Sequence, residues 1–429
     1  MILNSVTELA GLMTASRMSD RMLEKIRNHR LRRAVRYAYE NVPFYRDRFD
    51  AAGIKPSDIR TVKDLEHLPL VTKSELAYVP VEYRKARGID LDECAMHMTS
   101  GSTGEPFRIW FTPSDARMQI LGELRLLMHN GMKPSDNMLL IVDMRGIRRR
   151  KFWFQRLGIL NREYIDISED REKILKLMHR PEFDVLEGYT SEFFLLSMEI
   201  LERGLPGPRP ELVVTSAEYL DPIKRLTIQK ALHKDPVDIY STIESGHIAW
   251  ECPARNGYHI NTDMMALETV RDGAVCAPGE SGEVVVTPFY SSAMPLIRYV
   301  VADLAVISQR KCPCGCSLPL LERIEGRCVD SILFPSGEVV SPYIITCAIE
   351  EIKGLRQFMI VQKTLNDIDV DFICESADAK RIKSEIESDI LRVIEEGMKV
   401  RARHVESIPR EVGKFSYVKN LVAREDSKG

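Results

Sequence analysis

The stretch MTSGSTGEPF, residues 98–107, interrupts a predicted strand with a turn made almost entirely of Ser, Thr and Gly. Glycine lets the backbone approach a ligand closely and point successive N–H groups at it, and the hydroxyls add donors without bulk. Phosphate is the ligand that suits such a turn. The spacing matches neither the P-loop nor the dinucleotide-binding fingerprint, and a turn of this composition is by itself more often only a turn.

The composition of the whole chain limits the classes of protein to consider. With 429 residues, 44% of them hydrophobic, the chain can form more than one domain, and its net charge of -3 argues against a nucleic-acid-binding surface. The sequence shows no basic leader and no apolar run of about 18 residues, so we expect no membrane span and a cytoplasmic protein. Nine cysteines in such a chain are better explained as reduced thiols or metal ligands than as disulfides.

Strand-like and helical segments alternate from about residue 96 to residue 306, which predicts an α/β domain with a partly parallel sheet. The strand-like runs are MLLIVDM, ELVVTSAEYL, PVDIYSTIES and GEVVVTPFY, and helices are predicted at Ser114–His129 and Glu192–Arg203. A helical segment broken by Pro43 precedes this region. The later order of strand, helix, strand, strand, helix, ending with a charged helix from Asp378 to about Glu396, predicts a small α+β domain.

Six motifs in the same order resemble those of the adenylate-forming superfamily, which includes acyl-CoA synthetases, peptide-synthetase adenylation domains and luciferases. TSGSTGEP resembles its phosphate-binding signature, and VVTSAEYL, IYSTIES, IRYVVADLAVI, RIEGRCVD and PREVGKFSYV follow. AYENVPFYRDRFDAAGI, LPLVTKSEL, MPLIRYVVADL and CPCG followed by LPLLERIEGR are similar to the phenylacetate-CoA ligase family and its CapK and coenzyme F390 synthetase-like relatives. The resemblance covers about Arg32–Lys419.

This resemblance implies a large N-terminal domain of several subdomains that binds ATP and the acid, residues 1–328. It also implies a small mobile α+β lid that carries the catalytic lysine, residues 329–429. The implied reaction is attack of a carboxylate, aromatic acids included, on ATP to give an acyl-adenylate and pyrophosphate, followed by transfer to coenzyme A. Transfer to an amine, a hydroxyl or a carrier-protein thiol is an alternative, as is a nucleotide-binding relative without catalysis. Whether the protein is a homodimer is left open.

Both reactants are anions, and two unit charges 4 Å apart repel by about 4 kcal/mol at an effective dielectric of about 20. Cations and N–H donors are therefore required. The resemblance assigns Lys414 to bridging the carboxylate and the α-phosphate, and Glu244 to Mg²⁺. It assigns Asp303 to the ribose, with Arg298 and Arg327 as partners of ribose or phosphate.

The remaining implied ligands of the nucleotide form two sets. The phosphate loop consists of Thr99, Ser100, Gly101, Ser102, Thr103 and Gly104. The adenine site consists of Tyr240, which would stack on the base, and an edge formed by Ser216, Ala217 and Glu218. Ser241 stands where the family usually has glycine, which would narrow the acyl pocket, and further pocket candidates are Tyr189, Thr215 and His247.

The chain also departs from the family pattern at three places. Glu105 stands where many relatives have lysine, which removes a positive charge near the phosphates. Ala302 replaces the usual glycine before Asp303, and Val329 occupies the usual acidic pivot of the hinge. A hinge needs only a few residues that absorb a change in φ and ψ, so we expect rotation of the lid for the thioester half-reaction also with Val329.

Two further clusters are open to two interpretations each. A structural zinc site and plain reduced thiols explain the cysteine-rich segment equally well, with Cys252, His259 and two of the three residues Cys312, Cys314 and Cys316 as the candidate ligands. The basic run RGIRRRKFW, residues 145–153, suits the phosphates of coenzyme A, but such runs are more often solvated surface.

Overall fold

The computed structural model describes residues 2–99, 107–144, 155, 158–350, 352–408 and 418–422. The chain begins with helices that pack against the main sheet. These are α1 (Ile2–Ala15), α2 (Asp20–Asn41), α3 (Pro43–Ala51), and the short α4 (Lys73–Tyr78) and α5 (Val81–Arg84). Proline suits the first turn of a helix because it has no N–H to leave unpaired there, so Pro43 ends α2 and begins α3, as the sequence predicts.

A hairpin-like pair and a long helix follow. Strands β1 (Ala95–Thr99) and β2 (Phe107–Phe111) are antiparallel, with Thr99 opposite Phe107. Helix α6 (Pro113–His129) begins with a capping box, in which the Thr112 hydroxyl accepts from the Asp115 N–H and the Asp115 carboxylate accepts from the Thr112 N–H. The Asp115 carboxylate also accepts from Ser292, which fixes the N-terminus of α6 to the antiparallel part of the sheet.

Five parallel strands form one half of a twelve-stranded sheet. In chain order the elements of this half are β3 (Asn137–Val142), β4 (Asn161–Asp166), α7 (Arg171–Met178), β5 (Val185–Tyr189), α8 (Thr190–Glu202), β6 (Leu212–Ser216), α9 (Pro222–Leu232) and β7 (Val237–Thr242). Helix α6 covers one face of these strands, and α7, α8 and α9 cover the other. The partly parallel α/β sheet predicted from the sequence is therefore observed.

The other half of the sheet is antiparallel. Its strands are β8 (Gly246–Glu251), β9 (Tyr258–Ile260), β10 (Met265–Arg271), β11 (Ala274–Val275), β12 (Ser281–Pro288), β13 (Tyr299–Ile307) and β14 (Leu320–Arg327). The complete strand order is β11-β10-β12-β13-β14-β9-β8-β7-β6-β5-β3-β4. Parallel strands give way to antiparallel ones where β7 pairs with β8.

A second, four-stranded sheet with its own apolar core follows. A one-turn 3₁₀ helix, Cys328–Asp330, connects the two sheets at the predicted domain boundary. The elements are β15 (Ile332–Leu333), β16 (Val339–Val340), α10 (Pro342–Ile349), β17 (Gln357–Thr364), β18 (Asp367–Ile373), α11 (Ala379–Leu391), β19 (Lys399–His404) and β20 (Val418–Asn420). Helix α11 ends at Leu391, not near Glu396, and strands β19 and β20 were not predicted from the sequence.

The two parts of the molecule are in contact. Ile223 of α9 packs against the core of the C-terminal part, and the Ser341 hydroxyl donates to the Glu325 carbonyl of β14 at 3.2 Å. Over the described ranges, no helix combines the length and the apolar character needed to cross a bilayer.

Candidate active site

The predicted nucleotide residues of the large domain lie around the carboxyl end of β7 and along the neighbouring antiparallel strands. Ligands of open α/β sheets bind at the carboxyl ends of their parallel strands. Strands β6 and β7 end at Ser216 and Thr242, which places the adenine-edge segment and Ser241 at that end of the sheet.

A buried tyrosine holds the predicted ribose ligand in place. The Tyr240 hydroxyl donates to Asp303 Oδ2 at 2.8 Å, and Arg327 Nε lies 3.9 Å from Asp303 Oδ1. Burial, followed by the charge of Asp303, raises the pKa of Tyr240 well above its usual range, so the phenol stays a neutral donor. The structure therefore brings together three residues that the sequence assigned separately, and it gives Tyr240 a contact that the motif did not predict.

The backbone before Asp303 is strained. Ala302 has φ of 65°, in the left-handed region that costs an L-residue about 1–2 kcal/mol and that glycine adopts freely. This explains physically why a glycine would suit the position.

Glu244 lies in a buried pocket with two partners. The Tyr299 hydroxyl donates to Glu244 Oε1 at 3.2 Å, and Lys73 Nζ lies 3.6 Å from the same oxygen. Lys73 is held at the start of α4, which Thr72 caps by accepting a hydrogen bond from the Glu75 N–H. Sequence reasoning missed Lys73, although the motif LPLVTKSEL contains it. This lysine brings a positive charge close to the predicted magnesium ligand.

Arg298 has a different environment from the one expected. Its guanidinium is buried and donates to both oxygens of Glu268, at 3.3 and 2.9 Å, and to the carbonyls of Glu66 and Leu68. These bonds commit the side chain to joining the N-terminal segment to the sheet. The interpretation of Arg298 as a partner of ribose or phosphate was therefore wrong.

The adenine-edge segment turns sharply, with Ala217 at φ of 72°. The Glu218 carboxylate accepts from the Ser191 N–H at 2.9 Å and from the Ser191 hydroxyl at 3.0 Å, at the N-terminus of α8. Because a helix N-terminus favours a negative charge, this contact fixes the segment against α8. The backbone of Ser216 and Ala217 is thereby held at the strand end.

Several titratable side chains lie between α6 and strands β4, β5 and β8. Arg162 Nη2 of β4 lies 2.9 Å from Glu123 Oε1 of α6. Glu187 of β5 is 8% exposed, and His247 of β8 pairs in register with Ser241 of β7. The Thr215 hydroxyl instead donates to Asp238 Oδ1 in the protein interior, so Thr215 is a poor candidate for the acyl pocket.

The cysteine-rich segment forms a compact cluster. The ligand atoms of Cys252, His259, Cys312 and Cys314 all lie within 4.8 Å of one another. His259 Nδ1 lies 3.1 Å from the Leu318 carbonyl, which only accepts, so Nδ1 carries the proton and the bare Nε2 faces Cys314 Sγ at 3.2 Å. Cys316 lies instead in a second group, with His129 and His259.

Several predicted residues lie outside the described part of the chain. These are the phosphate-loop residues Ser100, Gly101, Ser102, Thr103 and Gly104, together with Glu105, the basic run at 145–153 and Lys414. Thr99, the first residue of the predicted loop, is the last residue of β1.

Both the sequence and the fold of this chain match known proteins. Residues 332–421 match the family model described as CapK C-terminal domain. The chain is 30% identical over 332 residues, 72% of each protein, to phenylacetate-coenzyme A ligase of Escherichia coli, and 27% identical to that of Thermus thermophilus over 86% of this chain and 85% of the relative. The crystal structure of 2-hydroxyisobutyryl-CoA ligase in the postadenylation state superposes with a TM-score of 0.80, 20% identity and coverage of 96% of this chain and 92% of that one.

The large mixed sheet with a small C-terminal α+β domain is the architecture of adenylate-forming enzymes. The chain belongs to the phenylacetate-CoA ligase family. It is thus a phenylacetate-CoA ligase-like, AMP-forming ligase. The predictions of fold class, family and enzyme class are confirmed.

Proposed function

We propose that the ligase binds ATP between β7 and the β13–β14 pair and joins a carboxylic acid, held between α6 and the parallel strands, to coenzyme A. The observation that carries the nucleotide part is the convergence of Tyr240, Asp303 and Arg327. Asp303 would accept hydrogen bonds from the ribose hydroxyls, an arrangement that suits an ionised carboxylate.

Positive charge near the phosphates is the main electrostatic requirement of this reaction. We assign Glu244 to Mg²⁺, because a hard cation prefers oxygen ligands and the buried carboxylate lies at the carboxyl end of β7. When bound, the cation neutralises phosphate charge. We also assign Lys73 to the compensation of phosphate charge, in place of the lysine that Glu105 replaces. Lys73 lies 3.6 Å from Glu244, so both groups would face the same part of the nucleotide.

The phosphate loop 99–104 and Lys414 keep the roles that the family resemblance gives them, as proposals. Replacing Lys414 with alanine should lower the rate of adenylation about 10²–10³-fold, the usual effect of losing one charge-stabilising group. Lys399→Ala, an exposed lysine of the same domain, is the matched control. An unchanged rate of adenylate formation in Lys414→Ala would contradict the assignment.

The test of the proposed function is an assay of pyrophosphate and AMP with ATP, Mg²⁺ and a panel of carboxylic acids, with and without coenzyme A. We expect acid-dependent pyrophosphate release and AMP turnover that rises with coenzyme A. Pyrophosphate release without a response to coenzyme A would point to transfer to an amine, a hydroxyl or a carrier-protein thiol. No pyrophosphate with any acid would overturn the proposal.

We further propose that Cys252, His259, Cys312 and Cys314 hold a structural Zn²⁺, since three thiols and one imidazole are a typical closed tetrahedral set. The Leu318 carbonyl would act as the outer partner that orients His259. Purified protein should contain about one zinc per chain, and Cys314→Ser should lose it while Cys94→Ser, outside the cluster, keeps it. A metal-free natural protein that melts at the same temperature with and without added zinc would contradict this assignment.

A further inference from the structure

Four titratable side chains beside α6 form one group, which we call the acid-side cluster because it adjoins the proposed acid site: Glu123 of α6, Arg162 of β4, Glu187 of β5 and His247 of β8. Glu187 is 8% exposed, and its Oε2 is shielded from solvent without a hydrogen-bond partner among the described residues. Nδ1 of His247 is in the same condition. Two hydrogen-bonding atoms are therefore buried and unpaired in the described structure, and the charges of Glu123 and Arg162 act on both residues.

Such atoms are costly. A buried polar atom without a partner destabilises a fold by about 1–3 kcal/mol, and more where it carries charge. The ion pair of the cluster does not remove this cost, because Arg162 Nη2 and Glu123 Oε1 attract at 2.9 Å without either making an aligned hydrogen bond. Buried polar groups are nearly always satisfied in folded proteins, by protein atoms or by ordered water, so we take this group of unsatisfied atoms as a place where a ligand or water binds.

The position of the cluster identifies that partner with the acid. Glu187 lies two residues before Tyr189, which pairs with Ser216 at the adenine edge. Residues two apart in a strand share a face of the sheet, so Glu187 and Tyr189 both point to the side that α6 covers. His247 lies opposite Ser241 at the end of β7. An acyl chain whose carboxylate meets the nucleotide at this end of the sheet would extend toward the cluster.

The protonation states favour a neutral, hydrogen-bonding partner. Burial and the charge of Glu123 raise the pKa of Glu187 to about 8, while Arg162 opposes them, so the carboxyl is mainly protonated at pH 7. Burial lowers the pKa of His247, which keeps its ring neutral. A carboxyl and a neutral imidazole can each donate or accept, and the Glu123–Arg162 pair adds no net charge.

We propose that the acid-side cluster recognises a hydroxyl or amino substituent on the acyl part of the acid, with Glu187 as the residue that determines this specificity. The inference rests on the proposed function and names the substrate class of the same site. A pocket built to bind a substituent discriminates strongly against the analogue without it, because the polar groups of the pocket then stay unpaired.

The experiment compares matched acids in the pyrophosphate assay: phenylacetate against 4-hydroxy- and 4-aminophenylacetate, and isobutyrate against 3-hydroxyisobutyrate. In at least one pair, the substituted acid should be preferred about 10²-fold or more in kcat/KM. Glu187→Leu should abolish this preference by raising turnover of the unsubstituted acid relative to the substituted one. Glu187→Gln, which still donates and accepts, should keep part of it and serves as the conservative variant if the leucine variant does not fold.

Two results would overturn the inference: unsubstituted acids used as well as substituted ones by the natural enzyme, or Glu187 variants that slow both members of a pair by the same factor. If no acid releases pyrophosphate, the proposed function fails. Calorimetric binding of the same acids then decides the role of the cluster, and equal affinity within both pairs would overturn it.

Discussion

Helix α6 contacts two groups of buried titratable side chains, and the carboxyl groups in them differ in how completely they are paired. Arg125 Nη1 donates to both oxygens of Asp263, at 2.8 and 2.9 Å, Nη2 donates to Asn261, and the guanidinium lies 5.3 Å from the Trp250 ring. In the acid-side cluster, by contrast, Glu187 Oε2 is buried without a partner in the described structure. The carboxylate of Asp263, with both oxygens paired, stabilises the fold, whereas the carboxyl group of Glu187 has an oxygen available to bind a ligand.

The helix itself produces this separation. Successive residues of an α-helix turn by about 100°, so positions 123 and 125 point about 200° apart. Glu123 faces β4 and β5, and Arg125 faces the segment between β9 and β10, where Asn261 and Asp263 lie. One helix therefore carries a structural ion pair on one side and a candidate specificity wall on the other.

The largest expected effect comes from breaking the paired group. Asp263→Ala leaves the fully buried Arg125 without its counter-charge and should lower the free energy of unfolding by about 3–5 kcal/mol. Denaturant unfolding measures this. Glu169→Ala, which removes the exposed Lys173–Glu169 pair, is the control and should cost under about 1 kcal/mol. A loss as small as the control's would show that the pairing of Arg125 and Asp263 does not hold the fold.

A smaller effect is expected from the pH dependence of the acid-side cluster. The pKa of Glu187 is about 8 in the folded protein against 4.5 ordinarily, so between these values the folded state holds a proton that the unfolded state has released. Stability is therefore lost as pH rises through this window, by at most about 1.4 kcal/mol per pH unit.

Glu187→Gln removes this titration, so the melting temperature of the variant should fall less between pH 6 and 8.5 than that of the natural protein. Thermal melts at several pH values measure the difference. Asp263→Asn is a useful comparison, since the pKa of Glu187 is untouched in it and its pH profile should keep the natural slope in this range. Parallel profiles for Glu187→Gln and the natural protein would contradict the assigned protonation of Glu187.

The smallest expected effect comes from relieving the backbone strain at Ala302. Ala302→Gly should leave stability unchanged or raise it by up to about 1 kcal/mol, because relief of the left-handed conformation is partly offset by the greater freedom of glycine in the unfolded chain. Ala305→Gly in the same strand has no positive φ to relieve and should be destabilising. Equal losses in the two variants would mean that Ala302 carries no strain.

Local patterns account for what the sequence predicted well. Strands β3, β6, β7 and β12 are recognisable as apolar runs because a strand buried on both faces needs apolar residues at successive positions. The start of α6 is marked by a capping box, whose residues are close together in the sequence. Strand β19 was missed because its residues, KVRARH, alternate basic with small apolar side chains, a short pattern that suits a surface strand only once its partner is known. Arg403 pairs with Asp371 of β18, a contact between residues 32 positions apart.

In the candidate site, too, local motifs identified residues, whereas long-range packing determined their contacts. Motifs selected Tyr240, Asp303 and Arg327, but the hydrogen bond from Tyr240 to Asp303 joins two strands that are not neighbours in the sheet. Nor does the sequence distinguish Glu187 from any other acidic residue in a strand. Its significance comes from burial and from an oxygen without a partner, which only packing determines. The predicted roles of the phosphate loop and Lys414 stay predictions.

The placement of α6 has a consequence for how such a ligase can diversify. The proposed acid site lies against a helix anchored at its N-terminus through Asp115 and along its length through Arg125, whereas the proposed ribose ligands come from β7, β13 and β14. Mutations that exchange side chains on the face of α6 that carries Glu123 can therefore alter which acid is bound while the proposed nucleotide ligands stay in place. Substrate preference in this architecture is free to drift independently of the energy-coupling machinery.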